Sequence, residues 1–325
     1  MIISKTPYRI SFFGGGSDYP SWYKKNGGAV ISSTIDKYIY ISCRKLPKFF
    51  DHKYRIVWSR IENVKKVEKI KHKVVKNLLL HNKINDGLEI HYDGDLPSKS
   101  GMGSSSSFSV GLIKALNEFK NIKLSKIQLA NKAIYFEQKI LKEVVGSQDQ
   151  VAAAFGGFNK ILFNKEGGIK IKKINSKHLK PLNSNLLLIY TGIQRNAEKI
   201  AKKYVHNLID KKKWNIERII EYVDEGEKLL KNGNLNDFGK LLHESWKEKK
   251  LLNNNITNKK IDDLYSFALK NGCLGGKLLG AGSGGFMLLY MEKYKQSKFL
   301  DKLNKIFNVP FKFSNVGSNI ILNSK

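Results

Sequence analysis

The first third of the chain alternates apolar and polar residues with a period near two. Lys5–Phe13 reads as an extended strand, Ala29–Asp36 and Lys37–Arg44 as a strand pair, and Tyr54–Ser59 and Leu88–Tyr92 as two more. Between them, the lysine-rich stretch Val64–Leu80 has the spacing of an amphipathic helix. Phe108, Leu112, Ala115, Leu116 and Phe119 recur at helical intervals, which predicts a helix over Ser104–Phe119. Ser125 caps a second helix running through Leu129, Ala133, Phe136 and Ile140. A short helix at Gln148–Phe155 precedes the strands Gly157–Phe163 and Gly168–Ile174.

Pro and Asn gather at Lys180–Asn185, where a domain boundary is expected, dividing the chain into 1–183 and 184–325. Beyond it come a buried strand, Leu186–Tyr190, and helical stretches over 195–231, 234–252 and 258–271. A glycine-rich turn, the strand Phe286–Met291, a helix near 293–306 and the short strand Pro310–Ser314 follow. Strands and helices mixed without regular βαβ alternation predict the α+β class.

Composition narrows the picture. The 325 residues are 41% hydrophobic, enough for a full core. The apolar runs Leu186–Tyr190 and Phe286–Met291 are far shorter than the roughly 20 residues of a membrane span. Ser4, Lys5, Pro7 and Arg9 interrupt any signal-peptide core, so a soluble, cytoplasmic protein is expected. Cys43 and Cys273 form no CxxC, which argues against a disulfide framework or structural zinc.

Net charge is +30, from 58 basic and 28 acidic residues. Only six of the 58 are arginine, the residue that reads guanine edges and grips phosphate bidentately. The lysines are scattered, and no RNA- or DNA-binding signature accompanies them, so no nucleic-acid partner is expected. A positive field still favours anionic small molecules.

Four segments carry candidate chemistry. Pro97–Ser107, PSKSGMGSSSS, follows a strand and opens a helix. Gly101, Met102, Gly103, Ser104, Ser105 and Ser106 thus place turning backbone and N-terminal amides where a phosphate is favoured. A flexible, helix-capping serine loop is the plainer reading. Gly275–Gly285 contains GxGxxG, but a strand follows it rather than a helix, so a dinucleotide site is rejected. That loop, Gly282 included, fits contact with the first glycine loop, contact with a ligand, or a tight turn.

Glu137 stands beside apolar Phe136 and Ile140, which places it at the edge of a buried face. Asp149 begins an alanine-rich helix where a ligand could approach closely. By themselves these two residues favour the plainer reading, an ordinary solvated Glu and a dipole-favoured Asp. Last, Pro7–Pro20 holds Arg9, which could neutralise phosphate, and a turn of Gly14, Gly15, Gly16, Ser17 and Asp18, whose carboxylate could accept from hydroxyls. A strand ending in a turn-favouring aspartate accounts for the same residues.

Taken together and in this order, PYRISFFGGGSDYP (7–20), PSKSGMGSS (97–105) and KLLGAGSGGF (277–286) resemble the three motifs of the GHMP small-molecule kinases over nearly the whole chain. Within that family the heptose 7-phosphate kinases are the most similar group, through residues 9–20, GSQDQVAAAFGG (146–157) and LLHESWKEKK (241–250). Ser147 stands where that group usually has lysine.

The resemblance implies a ribosomal protein S5 domain 2-like N-terminal domain and a ferredoxin-like C-terminal domain. It implies ATP across the 97–106 loop, Pro97 included, and Asp149 as catalytic base with Arg9 near the transferred phosphate. Mg²⁺ would fall to Glu137 with Ser104 or Ser105, Ser105 being preferred. Sugar contacts would come from Asp18, Gly15, Gly16, Ser17 and Gly282. The implied reaction is phosphorylation of the anomeric hydroxyl of D-glycero-D-manno-heptose 7-phosphate, for nucleotide-heptose synthesis. Lys99 and Arg195 are candidates for the 7-phosphate. Oligomeric state stays open, a dimer included. The alternatives are a GHMP kinase for fucose, galactose or an N-acetylhexosamine and, from another class, a non-catalytic basic RNA-binding protein.

Overall fold

The computed structural model describes residues 1–194, 205, 212–303 and 306–324. Strand β1 (Ile2–Phe13) runs to the glycine turn and the short helix α1 (Pro20–Asn26). The chain returns along β2 (Gly28–Lys45), antiparallel to β1. These 18 residues form one continuous strand, where Asp36–Lys37 suggests a break between two. Register shifts at Pro7/Arg9 and Ser11/Phe13 in the β1–β2 ladder absorb the irregularity there instead.

Strands β3 (Tyr54–Val57), β4 (Ile61–Val64) and β5 (Leu88–Gly94) extend the sheet in the order β1-β2-β5-β3-β4, with β3 parallel to β5. The helix expected over Val64–Leu80 is only α2 (Lys73–His81). Its first part is strand β4 and a 3-10 turn at Val67–Lys69. Buried Glu62 accepts the Lys71 and His72 backbone N–H groups, holding that non-helical approach in place.

Helix α3 (Ser104–Phe119) packs on β1 and β2, and α4 (Lys126–Tyr135) continues into a π-helical turn, Phe136–Ile140. Ser125 caps α4 through a capping box with Gln128. Then follow α5 (Gln148–Phe155), the hairpin β6 (Phe158–Phe163) and β7 (Ile169–Lys173), and α6 (Leu179–Ser184).

A second, antiparallel sheet has the order β8-β10-β9, from β8 (Leu186–Tyr190), β9 (Gly275–Leu278) and β10 (Phe286–Tyr290). Asn308 bridges Ile189 on the free side of β8. Helices α7 (Lys213–Asn232), α8 (Leu235–Leu252), α9 (Lys259–Lys270) and α10 (Lys293–Lys302) complete this half. The chain then goes back: β11 (Phe313–Ser314) pairs with β2, and β12 (Asn319–Asn323) pairs with β1. A division at 184–325 therefore cuts across the first sheet, whose edge is the C-terminal tail. Among the described residues no helix is long and apolar enough to cross a membrane.

The two halves share one apolar core. Phe12 stacks on Phe158 and meets Phe238 of α8 edge-on, with centroids 5.1 and 5.7 Å apart. Gly226 on α7 lies so close to the Phe13 ring that a Cβ there would stand 2.5 Å from it. This packing fixes α7 and α8 over the end of β1, where the glycine turn begins.

Candidate active site

A cavity of about 750 Å³ opens between the halves. On one side the 97–106 loop turns through Gly101 and Gly103, both at positive φ (82° and 75°), and enters α3. Ser104, Ser105 and Ser106 line the cavity at the helix start, so the unpaired N-terminal amides lie at its wall. Met102 is wholly buried, and its carbonyl accepts the Arg9 backbone N–H at 3.1 Å. Pro97 is exposed and does not line the cavity.

Arg9 and Asp149 meet directly beneath this loop. Arg9 Nε and Nη2 donate to Asp149 Oδ1 and Oδ2, both at 2.7 Å, and Nη1 donates to the Gly101 carbonyl at 2.8 Å. A side chain on Gly103 would press on both partners, at 3.2 Å from Arg9 Cγ and 3.4 Å from Asp149 Oδ2. The arginine thus holds the aspartate and the 97–106 loop in one rigid unit.

Asp18 lies deeper and is fully buried. Its Oδ1 accepts from the Gly16 amide at 3.0 Å and its Oδ2 from the Gln148 amide at 3.3 Å. Burial, and then the Asp149 charge, push its pKa up. Gly15 and Gly16 line the cavity beside it. Ser17 does not: it is buried and bonds with the Gly14 and Ala29 carbonyls, fixing the turn. Ser11 Oγ and Gln148 Oε1 are buried cavity-lining atoms without a hydrogen-bond partner, the kind of group that awaits a ligand hydroxyl.

Glu137 is not at the edge of a buried face but wholly inside. The π-helical turn carries it inward, and Oε2 accepts from Ser106 Oγ at 2.9 Å and Gln150 Nε2 at 2.6 Å. The serine bonded to Glu137 is thus Ser106 rather than Ser104 or Ser105. Oε1 is buried without a hydrogen-bond partner, although nearby Ser109 eases ionisation. Burial nevertheless pushes the pKa of Glu137 up to about 7. An orphaned carboxylate oxygen behind a helix-start serine fits a hard cation such as Mg²⁺. Among the described residues no three His, Cys, Asp or Glu side chains cluster as a metal cage. Phosphate oxygens and water would have to complete such an ion's shell.

Gly282 does not line the cavity, whereas Gly280 and Ala281 do. A Cβ on Gly282 would lie 2.6 Å from the Ile256 backbone, and one on Gly285 2.1 Å from the Ser100 carbonyl. Of the readings open for this loop, contact with the first glycine loop is realised: Phe286 N–H donates to the Ser100 carbonyl at 3.0 Å. Ser147, where a lysine was expected, is buried and receives the Gln138 amide at 3.1 Å. Arg195 lies outside the described residues.

Several lining residues escaped the motifs. Trp58, His72, Tyr92 and Phe108 form an aromatic wall, with centroids of 4.9 Å for Trp58–His72 and His72–Phe108 and 5.3 Å for Tyr92–Phe108. Burial lowers the His72 pKa and keeps its ring neutral at neutral pH. Lys249 and Lys277 also line the cavity. Lys277 opens the third motif and Lys249 lies in the 241–250 segment, but the sequence alone singles out neither as a site residue.

A glycine turn at a helix start, an Arg–Asp pair beneath it and a buried carboxylate behind Ser106, set back from the cavity lining, fit a phosphotransferase. The GHMP kinases N terminal domain model matches residues 66–157, and the GHMP kinases C terminal model matches residues 227–309. The chain belongs to the GHMP kinases. It is 30% identical over 321 residues, 94% of this chain and 93% of the other, to a D-glycero-alpha-D-manno-heptose 7-phosphate kinase of Campylobacter jejuni. The fold matches a D-glycero-D-manno-heptose 1-phosphate kinase from Bacteroides thetaiotaomicron with a TM-score of 0.80, at 22% identity over all of both chains. It also matches Lactococcus lactis galactokinase complexed with galactose, with a TM-score of 0.76 at 19% identity, covering 98% of this chain and 94% of that one.

Proposed function

We propose that this chain is an ATP- and Mg²⁺-dependent kinase that phosphorylates the anomeric hydroxyl of D-glycero-D-manno-heptose 7-phosphate, giving the 1,7-bisphosphate. The observation that carries the chemistry is the clamp of Arg9 on Asp149 beneath the phosphate loop. The similarity to the Campylobacter kinase along nearly the whole chain supports the choice of sugar.

The aromatic wall from Trp58 to Phe108 receives the adenine ring by stacking. Amides of the 101–106 loop and the start of α3 hold the phosphates. Asp18, Ser11 and Gln148 bond the sugar hydroxyls and fix the anomeric oxygen near Asp149. Its lone pair attacks the γ-phosphorus in line, the bond to the β-γ bridging oxygen breaks with ADP as leaving group, and Asp149 takes the hydroxyl proton. Arg9 keeps Asp149 oriented and offsets charge growing on the transferred group. Mg²⁺, held through Glu137 and Ser106, would supply charge neutralisation of the phosphates.

ADP release measured with Mg²⁺ over heptose 7-phosphate, heptose 1-phosphate, sedoheptulose 7-phosphate, mannose 6-phosphate, fucose, galactose and mevalonate tests the assignment. Preference for heptose 7-phosphate is expected. Preference for a neutral sugar keeps the catalytic residues and discards the substrate, and RNA binding without turnover discards the enzyme.

A further inference from the structure

The aromatic wall of the cavity comes from separate segments of the chain, and one buried carboxylate joins two of them. Trp58 opens the turn between β3 and β4, and His72 stands one residue before α2. Glu62, on β4, is 7% exposed and reaches both. Its Oε1 accepts from Trp58 Nε1 at 2.9 Å and from the His72 backbone N–H at 3.1 Å. Its Oε2 accepts from the Lys71 backbone N–H.

The β3–β4 hairpin is the edge of its sheet, joined to the rest through the β3–β5 pairs from Tyr54–Leu88 to Val57–His91. Trp58 lies beyond the last of those pairs, so the sheet ladder alone does not fix its ring. Glu62 holds the ring by its Nε1 end. The same carboxylate fixes the backbone of His72, whose Nδ1 accepts from the Val75 N–H at 3.4 Å and so caps α2. An apolar side chain at 62 would fill the space but leave three N–H groups without their acceptor.

The rings held in this way stand beside the nucleotide's proposed place. Trp58 meets His72 edge-on at 79°, and the His72 and Phe108 planes are 31° apart. Phe108 is four residues into α3 from Ser104, about 6 Å or one turn from the amides at the helix start. A base joined to phosphates at those amides therefore has the wall within reach.

We propose that Glu62 is a positioning residue for the donor nucleotide: through Trp58 and His72 it sets the slot that receives adenine, and so governs affinity for the base without contacting it. This rests on the kinase reading above, in which adenine stacks on the wall.

The test separates the base from the phosphates. The full chain is titrated calorimetrically with ADP and with tripolyphosphate, which carries no base, both with Mg²⁺, in wild type and Glu62→Gln. The variant keeps the size of the side chain, but its amide must turn an N–H toward the Trp58 and His72 donors or toward Lys71. It is expected to weaken ADP about tenfold, the scale of one hydrogen bond to a charged group, and to leave tripolyphosphate unchanged. In turnover the loss should fall on the ATP KM and spare the sugar KM. Unchanged ADP binding overturns the proposal by leaving Glu62 a purely structural part. Equal weakening of both ligands overturns it by showing a general disturbance of the cavity. If Glu62→Gln does not fold, Glu62→Asp, which keeps the charge but draws the oxygens back by one carbon, carries the same ratio test.

Tryptophan fluorescence checks the placement of the base. Among the described residues Trp58 is the one tryptophan in the cavity lining. ADP should quench wild-type emission, and Trp58→Phe should abolish that change. ADP bound without such quenching places the base elsewhere and overturns the proposal while the kinase reading stands. If wild type binds neither ADP nor tripolyphosphate, the nucleotide reading itself falls, and the proposal with it.

Discussion

Arg9 grips both carboxylate oxygens of Asp149 at 2.7 Å while its third nitrogen holds the Gly101 carbonyl, so one side chain aligns the proposed base with the phosphate loop. Asp149→Asn keeps the size of the side chain but removes the proton acceptor and the ionic half of the clamp. It should lower kcat by about 10²–10⁴-fold, with the sugar KM changed far less. Steady-state kinetics with both substrates varied checks this; near wild-type turnover would remove Asp149 from the role of base.

Glu137 bonds Ser106 and Gln150, and in the proposed site it would tie the Mg²⁺ to the fold. Glu137→Gln preserves shape but removes the negative charge, and Gln150 then confronts another amide. The variant should need at least about tenfold more Mg²⁺ for half-maximal rate, as expected for a lost ligand. A Mg²⁺ titration of initial rates reads this, and an unchanged curve would place the ion elsewhere.

Two glycines test the framework through space alone. A Cβ on Gly146 would lie 1.9 Å from Asp18 Oδ2, so Gly146→Ala must displace that carboxylate. Its sugar KM should rise about tenfold or more, and its Tm should fall by several degrees. On Gly285, at φ 98°, a Cβ would meet the Ser100 carbonyl at 2.1 Å, so Gly285→Ala pushes the third motif off the phosphate loop. There the ATP KM should rise more than the sugar KM. Paired KM measurements on the two variants separate these effects.

Lys277 gives stability a pH dependence of defined sign. Burial, and then the Arg9 charge, lower its pKa from the ordinary 10.5 to about 7 in the folded chain. Well below pH 7 both states carry the charge and the folded state bears the full burial cost. Between pH 7 and 10.5 only the unfolded state holds the proton, so this site's contribution to stability rises with pH. Lys277→Met should therefore raise Tm most at pH 6.5, by an amount equivalent to a few kcal/mol, and least near pH 10. Thermal melts across that range check it, and a pH-independent difference would contradict it.

Much of the framework was legible because it rests on local chemistry. The 3.6-residue recurrence from Phe108 to Phe119 gave α3, and the glycines at 101 and 103 gave the turn that leads into it. The misreadings have physical causes. Lysines spaced through Val64–Leu80 imitate an amphipathic face, whereas Glu62 holds the backbone non-helical as far as His72. Glu137 looked peripheral because the π-helical turn that rotates it inward has no local sequence mark. Trp58, His72, Tyr92 and Phe108 come from separate segments, so only the folded sheet makes them a wall. Lys249 is one of several lysines in the 241–250 segment, and burial alone distinguishes it from its neighbours there.

The most direct test of the central claim is phosphorus NMR of the reaction of the chain with ATP, Mg²⁺ and D-glycero-D-manno-heptose 7-phosphate. The account predicts a new phosphate resonance coupled to the anomeric proton, the 7-phosphate retained, and ADP formed in equal amount. A phosphate appearing on any other carbon, or none appearing while galactose or fucose is phosphorylated, would contradict it.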